Sequence, residues 1–260
     1  MRVVIESTPP AAASTAAARI AELVRGRPSC VLGLAAGATM VPIYEELARA
    51  CREGVRFSGV TTFDLDEYVG ISAEDPRSFA QFMKRHLFGP AEFQPANTNA
   101  PDGLAGDLWA ECEAYEEKIR RAGGIDLQLL GLGVNGHLAF NEPGSSLASR
   151  TRVKTLTRST LEANEAELGD LAEAPRLSIT MGLGTILSAR TCLLVAVGQS
   201  KAGAVAGMVE GPVTAQVPAS ALQLHPETVV VLDDAAASQL ANLDYYREVE
   251  ALQRELEARR

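Results

Sequence analysis

IDLQLLGLGVNGHLAFNEP, Ile125 to Pro143, is the stretch on which the fold reading turns. Its first six residues, Ile125 to Leu130, are an apolar run of strand length, followed by a loop with glycines at 131, 133 and 136. Glycine lets a chain turn sharply and lets backbone come close to a ligand. An apolar strand opening into such a loop is the pattern of a buried parallel strand, whose carboxyl end is where open α/β sheets bind ligands. The loop carries an imidazole, His137, and a carboxylate, Glu142. Imidazole moves protons near neutral pH, and a nearby carboxylate sets its tautomer and basicity. The run reads as a proton-transfer loop.

Outward from this segment, short apolar runs alternate with amphipathic segments of helix length. Strands are expected at Arg2–Glu6, Ser29–Leu34, Gly59–Asp64, Ile125–Leu130, Thr191–Val197 and Thr228–Leu232. Helices are expected at Ala11–Arg25, Thr39–Arg52, Arg77–Phe88, Gly106–Ala122, Ser200–Val209 and from Ala235 towards the end. This alternation predicts an α/β fold, a Rossmann-like three-layer sandwich with a mostly parallel sheet. A length of 260 residues suits one such domain spanning 1–260. NEAELGDLAEAP, Asn164 to Pro175, is acidic and broken by Gly and Pro; it reads as a lid or a solvated connection, and composition favours the connection. The last turns, Asp244 to Arg259, are dense in Glu and Arg and predict an exposed helix with i,i+4 ion pairs.

With 47% hydrophobic and 22% charged residues the composition is that of an ordinary globular enzyme. The net charge of −9 supplies no basic field for nucleic acid or an anionic membrane surface, and no apolar run is long enough to span a bilayer. Cys30, Cys51, Cys112 and Cys192 are widely spaced without CxxC pairing, which points to buried free thiols and a cytoplasmic setting.

Three further turns carry candidate chemistry. In GLAAGATM, Gly33 to Met40, Gly37 suits a positive φ and Thr39 suits a helix cap, so the turn is either an anion site or a plain tight turn. VTTFDLDEYVG, Val60 to Gly70, puts Asp64, Asp66 and Glu67 just beyond a strand. A metal site is disfavoured by a total of three histidines and the lack of a second acidic cluster. A general base is the sharper reading, because clustered carboxylates raise one another's pKa, and helix capping is its rival. In VGQSKAG, Val197 to Gly203, Lys201 falls in a first helical turn, where a cation opposes the macrodipole unless an anion offsets it. The other histidines need no function: His86 lies among Lys84, Arg85 and Phe88, and His225 precedes Pro226 at a helix end, where it can bind carbonyls.

Taken in order, GLAAGAT, FDLDEYVG, SFAQFMKRHLF, GLGVNGHLAFNEPGSSLASRTRVKTLT, MGLGTIL, GQSKA, VEG and LQLHP resemble the glucosamine-6-phosphate deaminase (isomerase) family over nearly the whole chain. The AFNEP continuation separates it from the related 6-phosphogluconolactonases. The resemblance implies a cofactor-free hydrolase/isomerase that converts an aminosugar phosphate to a ketose phosphate plus ammonia. His137 would shuttle a proton in ring opening, Glu142 and Asn135 would orient it, and Asp66 would move the proton between carbons 2 and 1. Gly37, Ala38, Thr39 and Lys201 match phosphate-binding positions, and Ser145, Arg152 and Lys154 match an allosteric phosphate site of some members. The resemblance places a lid at about 157–176 and leaves a homo-oligomer open, since members are monomers or hexamers.

Three departures stand out. Asn135 occupies a position where many members carry Asp. The lid reads ANEAEL, Ala163 to Leu168, where the family has ANSRFF, so Ala166 replaces a phosphate-clamping arginine and Glu165 and Glu167 add negative charge. The phosphate turn reads AAGAT rather than PTGGT, and Ala38 is expected to crowd the backbone. Two consequences are open: another basic residue such as Arg158 replaces the clamp, or the same chemistry acts on a different amino or keto sugar. A non-catalytic sugar-phosphate sensor is disfavoured, because it has no use for Asp66, His137 and Glu142 together and no helix-turn-helix accompanies them.

Overall fold

The computed structural model describes residues 1–157, 160 and 174–259. In chain order its strands are β1 (Arg2–Glu6), β2 (Val31–Leu34), β3 (Thr61–Asp64), β4 (Asp66–Tyr68), β5 (Thr98–Asn99), β6 (Leu127–Gly131), β7 (Arg152–Thr155), β8 (Leu177–Thr180), β9 (Thr191–Ala196) and β10 (Thr228–Asp233). The helices are α1 (Pro9–Gly26), α2 (Val41–Arg52), α3 (Phe79–Met83), α4 (Leu108–Arg121), α5 (Leu183–Ile186), α6 (Ala202–Val209), α7 (Asp234–Ala237) and α8 (Leu243–Glu257). Seven strands pair in the order β1-β10-β9-β6-β2-β3-β5, and every one of these pairings is parallel. Consecutive residues such as Leu129–Leu130, Leu193–Leu194 and Val230–Val231 are all fully buried, so both faces of the sheet are covered.

The order in which strands are added reverses between the parallel neighbours β2 and β6: from β2 the sheet grows outward to β3 and β5, from β6 the other way to β9 and β10, with β1 at that edge. That divergence opens a crevice at the carboxyl ends of the two central strands. A second sheet, β4-β8-β7, is antiparallel and stands beside it. The chain crosses from one sheet to the other at Leu65, whose amide donates to Leu34 O (2.9 Å) while its carbonyl accepts from Met181 (2.8 Å).

The six expected strands are all present; β4, β5, β7 and β8 are additional. These are short strands of two to four residues, several made by polar segments, and their pairing partners are distant in the chain. The terminal helical prediction is corrected: α7 ends at Ala237 and α8 begins at Leu243, so two helices replace one. The ion pairs of α8 run mainly to β1, with Arg2 bridging Glu250 (2.7 Å) and Glu257 (2.5 Å) and Arg254 reaching Glu6 (3.0 Å), alongside the i,i+4 pair Arg254–Glu250. The segment from Arg77 to Phe88 starts its helix later, at Phe79 under a Ser78 cap, and finishes as a π turn over Lys84–Phe88. All four cysteines are buried and unpaired by disulfides. Among the described residues no helix is long and apolar enough to cross a membrane. Most of the expected lid, with Arg158 and Ala163 to Leu168, lies outside the described residues.

Candidate active site

A cavity of about 270 Å³ opens at the crevice, walled by the loop after β2, the start of β4, the loop leading into α3, the loop after β6, Thr160 and Lys201. Gly37, Ala38, Thr39, Asp66, His137 and Lys201 all line it. Asn135 and Glu142 are not part of the wall; Glu142 lies beside the imidazole, and Asn135 is bonded to Glu142.

The loop after β2 turns at Gly37, whose φ of +121° lies where an L side chain is strained. A 3₁₀ turn, Ala38–Met40, follows and leads into α2. Two expectations change here. Thr39 sits inside this turn and does not cap α2, which begins under Met40 without a side-chain cap. Ala38 is the first residue of a right-handed turn, so its methyl group costs the backbone no strain. Tyr44, fully buried on α2, donates its hydroxyl to Ala35 O and braces the loop.

The three acids at the junction of β3 and β4 point to different surroundings. Asp66 opens β4, lines the cavity and is largely buried. Burial, reinforced by the charge of Glu67, pushes its carboxyl up to about 8. Glu67 turns the other way and caps α3, accepting from the amides of Phe79 (3.1 Å) and Ala80 (2.8 Å). Capping and general-base chemistry were rival readings of one cluster; Glu67 does the capping, while Asp66 is the carboxyl presented to the cavity, because alternate strand residues face opposite sides. Asp64 is fully buried away from this cavity, and burial drives its carboxyl well above the ordinary range. Among the described residues no cluster of His, Cys, Asp and Glu is placed to hold a metal ion.

The His137 loop is built around its ring. A β-carbon on Gly133 would lie 2.3 Å from the imidazole Cε1 and 2.4 Å from both ring nitrogens, so only glycine leaves room for it. Of the three loop glycines, Gly136 alone holds a positive φ (+81°). Asn141 staples the loop, donating to Leu138 O (2.9 Å) and Met181 O (2.8 Å). Ala139, in the cavity wall, holds φ +51°. This left-handed conformation costs a non-glycine residue about 1–2 kcal/mol, strain of the kind that collects at functional sites.

Glu142 Oε2 lies 3.6 Å from His137 Nδ1, near enough for charge to act and beyond hydrogen-bond length. Asn135 does not touch the ring: its Nδ2 donates to Glu142 Oε2 (2.7 Å), and its Oδ1 accepts from the backbone amide of His137 (3.2 Å). Thr160 donates to the second oxygen, Oε1, at 2.6 Å. Together with the imidazole, the largest influence, these donors hold the Glu142 carboxyl down to about 2.

Lys201 ends a 3₁₀ turn just before α6, anchored where Gly198 donates to Asp233 Oδ1 (2.9 Å). The side chain is half-buried, and burial lowers its ammonium pKa. Ser145, Arg152 and Lys154 stand outside the cavity: Ser145 is buried with an unpartnered hydroxyl, and Arg152 and Lys154 lie on one face of β7. His225 binds the Ala189 carbonyl through Nε2 (2.8 Å), a partner outside its own helix, and His86 packs on Phe82 with ring centroids 4.5 Å apart.

Sequence reasoning missed Arg77, Ser78, Phe79, Phe82 and Thr160 in the cavity wall. Nothing in their local pattern marks them, because the loop before α3 reaches the crevice only through the packing of α3 against β4.

The glucosamine-6-phosphate isomerases/6-phosphogluconolactonase family profile matches residues 6–231. The chain belongs to this family. It is 50% identical to a glucosamine-6-phosphate deaminase of Hahella chejuensis over 252 residues, covering 96% of each chain. A Shewanella loihica glucosamine-6-phosphate deaminase is also 50% identical, over 100% of this chain and 97% of that one. Among solved family structures, a monomeric glucosamine-6-phosphate deaminase superposes with a TM-score of 0.90 at 41% identity, covering 92% of this chain and all of that one. A 6-phosphogluconolactonase from Trypanosoma cruzi shares the fold at a TM-score of 0.76, with 20% identity and coverage of 92% and 97%.

Proposed function

We propose that this protein is a glucosamine-6-phosphate deaminase, converting glucosamine 6-phosphate to fructose 6-phosphate and ammonia. The observation that carries this reading is the shared cavity of Asp66 and His137, with Glu142 beside the imidazole. The near-50% likeness to deaminases over the full chain supports it.

In this reading the closed sugar enters with its phosphate towards Lys201 and the Gly37–Thr39 turn. His137, with Nδ1 turned to Glu142, uses Nε2 to move a proton between the ring oxygen and the anomeric hydroxyl, opening the pyranose. Ionised Glu142 stabilises the imidazolium that forms in passing. Asp66 in its carboxylate form then takes the proton from carbon 2, leaving an enolamine, and returns a proton to carbon 1. Ammonia leaves when water adds to the resulting imine carbon. A carboxyl poised at about 8 suits a group that both accepts and gives a proton near neutral pH. Asn135 supplies no charge to this relay; it fixes Glu142 and the loop backbone.

Ser145, Arg152 and Lys154 form an effector-phosphate site in this proposal, with the chain as a single domain and residues 157–176 as its lid. The test is ammonia release across a panel of phosphorylated and free aminosugars, with and without an N-acetylated aminosugar phosphate. Release from glucosamine 6-phosphate above all others is expected. Release only from another sugar would transfer the chemistry to that substrate, and a flat response to the N-acetylated compound would dismiss the effector site.

A further inference from the structure

A second cavity, of about 420 Å³, shares a wall segment with the active site and has the size of a small-molecule pocket. The stretch from Ala73 to Lys84 contributes to both: Phe79 and Phe82 line the first cavity, Ala80 and Gln81 the second. Asp64, the last residue of β3, also lines the second. The proposed deamination uses Asp66 and leaves Asp64 without a task.

Asp64 is 3% exposed, and its Oδ1 has no hydrogen-bond partner among the described residues. The main chain holds the carboxyl at the cavity: Asp64 pairs with Leu34 of β2, and its carbonyl accepts from the Tyr115 hydroxyl (2.8 Å). The neighbouring charges that act on it, Glu67 and Asp66, are both negative. Buried carboxyls are ordinarily paired or hydrogen-bonded, so one without a partner calls for an explanation. On the neighbouring strand β5, Asn99 donates its Nδ2 to Thr62 O (3.0 Å) and Asn97 O (3.3 Å), and Thr98 donates its hydroxyl to Pro95 O (3.0 Å). Both residues line the cavity with their donors spent, so the oxygens they offer are acceptors. Acceptors and negative potential together suit an ammonium group, which carries three donors and no acceptor. The remaining charged wall residues, Glu74 and Lys84, are exposed and opposite in sign. Phe88 and Phe93, with ring centroids 5.4 Å apart, supply apolar surface for the rest of a ligand.

We propose that this cavity is a second binding site, taking a small organic amine whose ammonium rests on Asp64 and whose apolar body lies against Phe88 and Phe93. The inference is independent of the deaminase reading. Its rival is that Asp64 is a neutral core residue facing water alone.

Benzylamine, with benzyl alcohol and benzoate as its neutral and anionic counterparts, probes the site by calorimetric titration near neutral pH. The proteins are wild type, D64N, A80F and D66N. Wild type should bind benzylamine about tenfold or more tighter than either counterpart. D64N keeps the shape and removes the charge, so it should weaken benzylamine roughly 10- to 100-fold, the worth of a hydrogen bond to a charged group, and change benzyl alcohol only a few-fold. A80F fills the cavity from α3 without touching Asp64 and should weaken benzylamine and benzyl alcohol alike. D66N should bind benzylamine like wild type, because Asp66 belongs to the other cavity. Loss in D66N with retention in A80F would move the amine to the active site and overturn the proposal. So would benzylamine bound no tighter than benzyl alcohol, benzylamine bound equally by D64N and wild type, or no binding to wild type at millimolar benzylamine. Should D64N fail to fold, the wild-type, A80F and D66N titrations still decide the matter.

Discussion

Replacing Asp66 by Asn sets function against stability, and the size of the effect follows from the burial of one carboxyl. In the folded protein burial, reinforced by Glu67, lifts the Asp66 carboxyl from its ordinary 3.8 to about 8. Between these values the native state holds a proton that the unfolded chain has released, so stability falls as pH rises. The cost of keeping Asp66 is close to zero at pH 3, about 2 kcal/mol at pH 5 and about 4 kcal/mol at pH 7, and it levels off above pH 8. These figures are ceilings, because local relaxation and water entry reduce them. Asp66→Asn is nearly isosteric and cannot ionise, so the variant should gain stability over wild type by an amount that grows from pH 5 to pH 8. Turnover should fall by about 10²- to 10⁴-fold, the usual worth of a positioned acid or base. Denaturant titrations at pH 5, 7 and 8.5 read the first effect and ammonia release the second. Wild-type kcat/KM should also rise with pH through about 8 as the base ionises. A variant no more stable than wild type at pH 8.5 would show that Asp66 is not desolvated as the structure places it. Activity within tenfold of wild type would remove it from the base role.

Gly133→Ala should cost about 100-fold in kcat with little change in melting temperature, because the added methyl group displaces the His137 ring by about an ångström; retained turnover would show that the ring position is not critical. Thr160→Val removes a 2.6 Å bond to ionised Glu142, worth about 1.5–3 kcal/mol, and should slow the closed pyranose at least tenfold more than an open-chain analogue. Thr160→Ser should restore the closed-ring rate, and equal losses on both substrates would place Thr160 outside ring opening. Lys201→Met removes a half-buried cation, so it should raise KM for the 6-phosphate sugar while leaving stability unchanged or improved; an unchanged KM would free Lys201 from phosphate binding.

The legible parts of the fold were those carried by strong local periodicity. The strands at 2–6, 127–131, 191–196 and 228–233 each carry an apolar stretch (VVI, LL, CLLVA and VVVL), and burial on both faces of a parallel sheet favours that composition. β4 and β7 were invisible because DEY and RVKT are polar triplets and quartets with no alternation to count. Their strand character comes from β8, which pairs with both. The break between α7 and α8 was missed for a related reason: residues 238–242 keep a composition compatible with a helix, and the turn is held from outside by Glu210, whose carboxylate accepts from the amides of Ala241 (2.8 Å) and Asn242 (2.9 Å).

For the site, residue types and their order along the chain already named the chemistry. An imidazole beside a carboxylate in a glycine-rich strand exit, and acids after a second strand, left proton transfer as the economical reading, since few other side chains titrate where such work is done. Only packing could say which acid faces the cavity, because that depends on the crossing at Leu65 that turns Asp66 inward and Glu67 towards α3. Only packing, likewise, could bring Arg77 and Thr160 to the same hollow. Charge and hydrogen-bonding capacity are properties of a side chain alone, whereas burial, orientation and the resulting shift in proton affinity belong to neighbours delivered by distant parts of the chain.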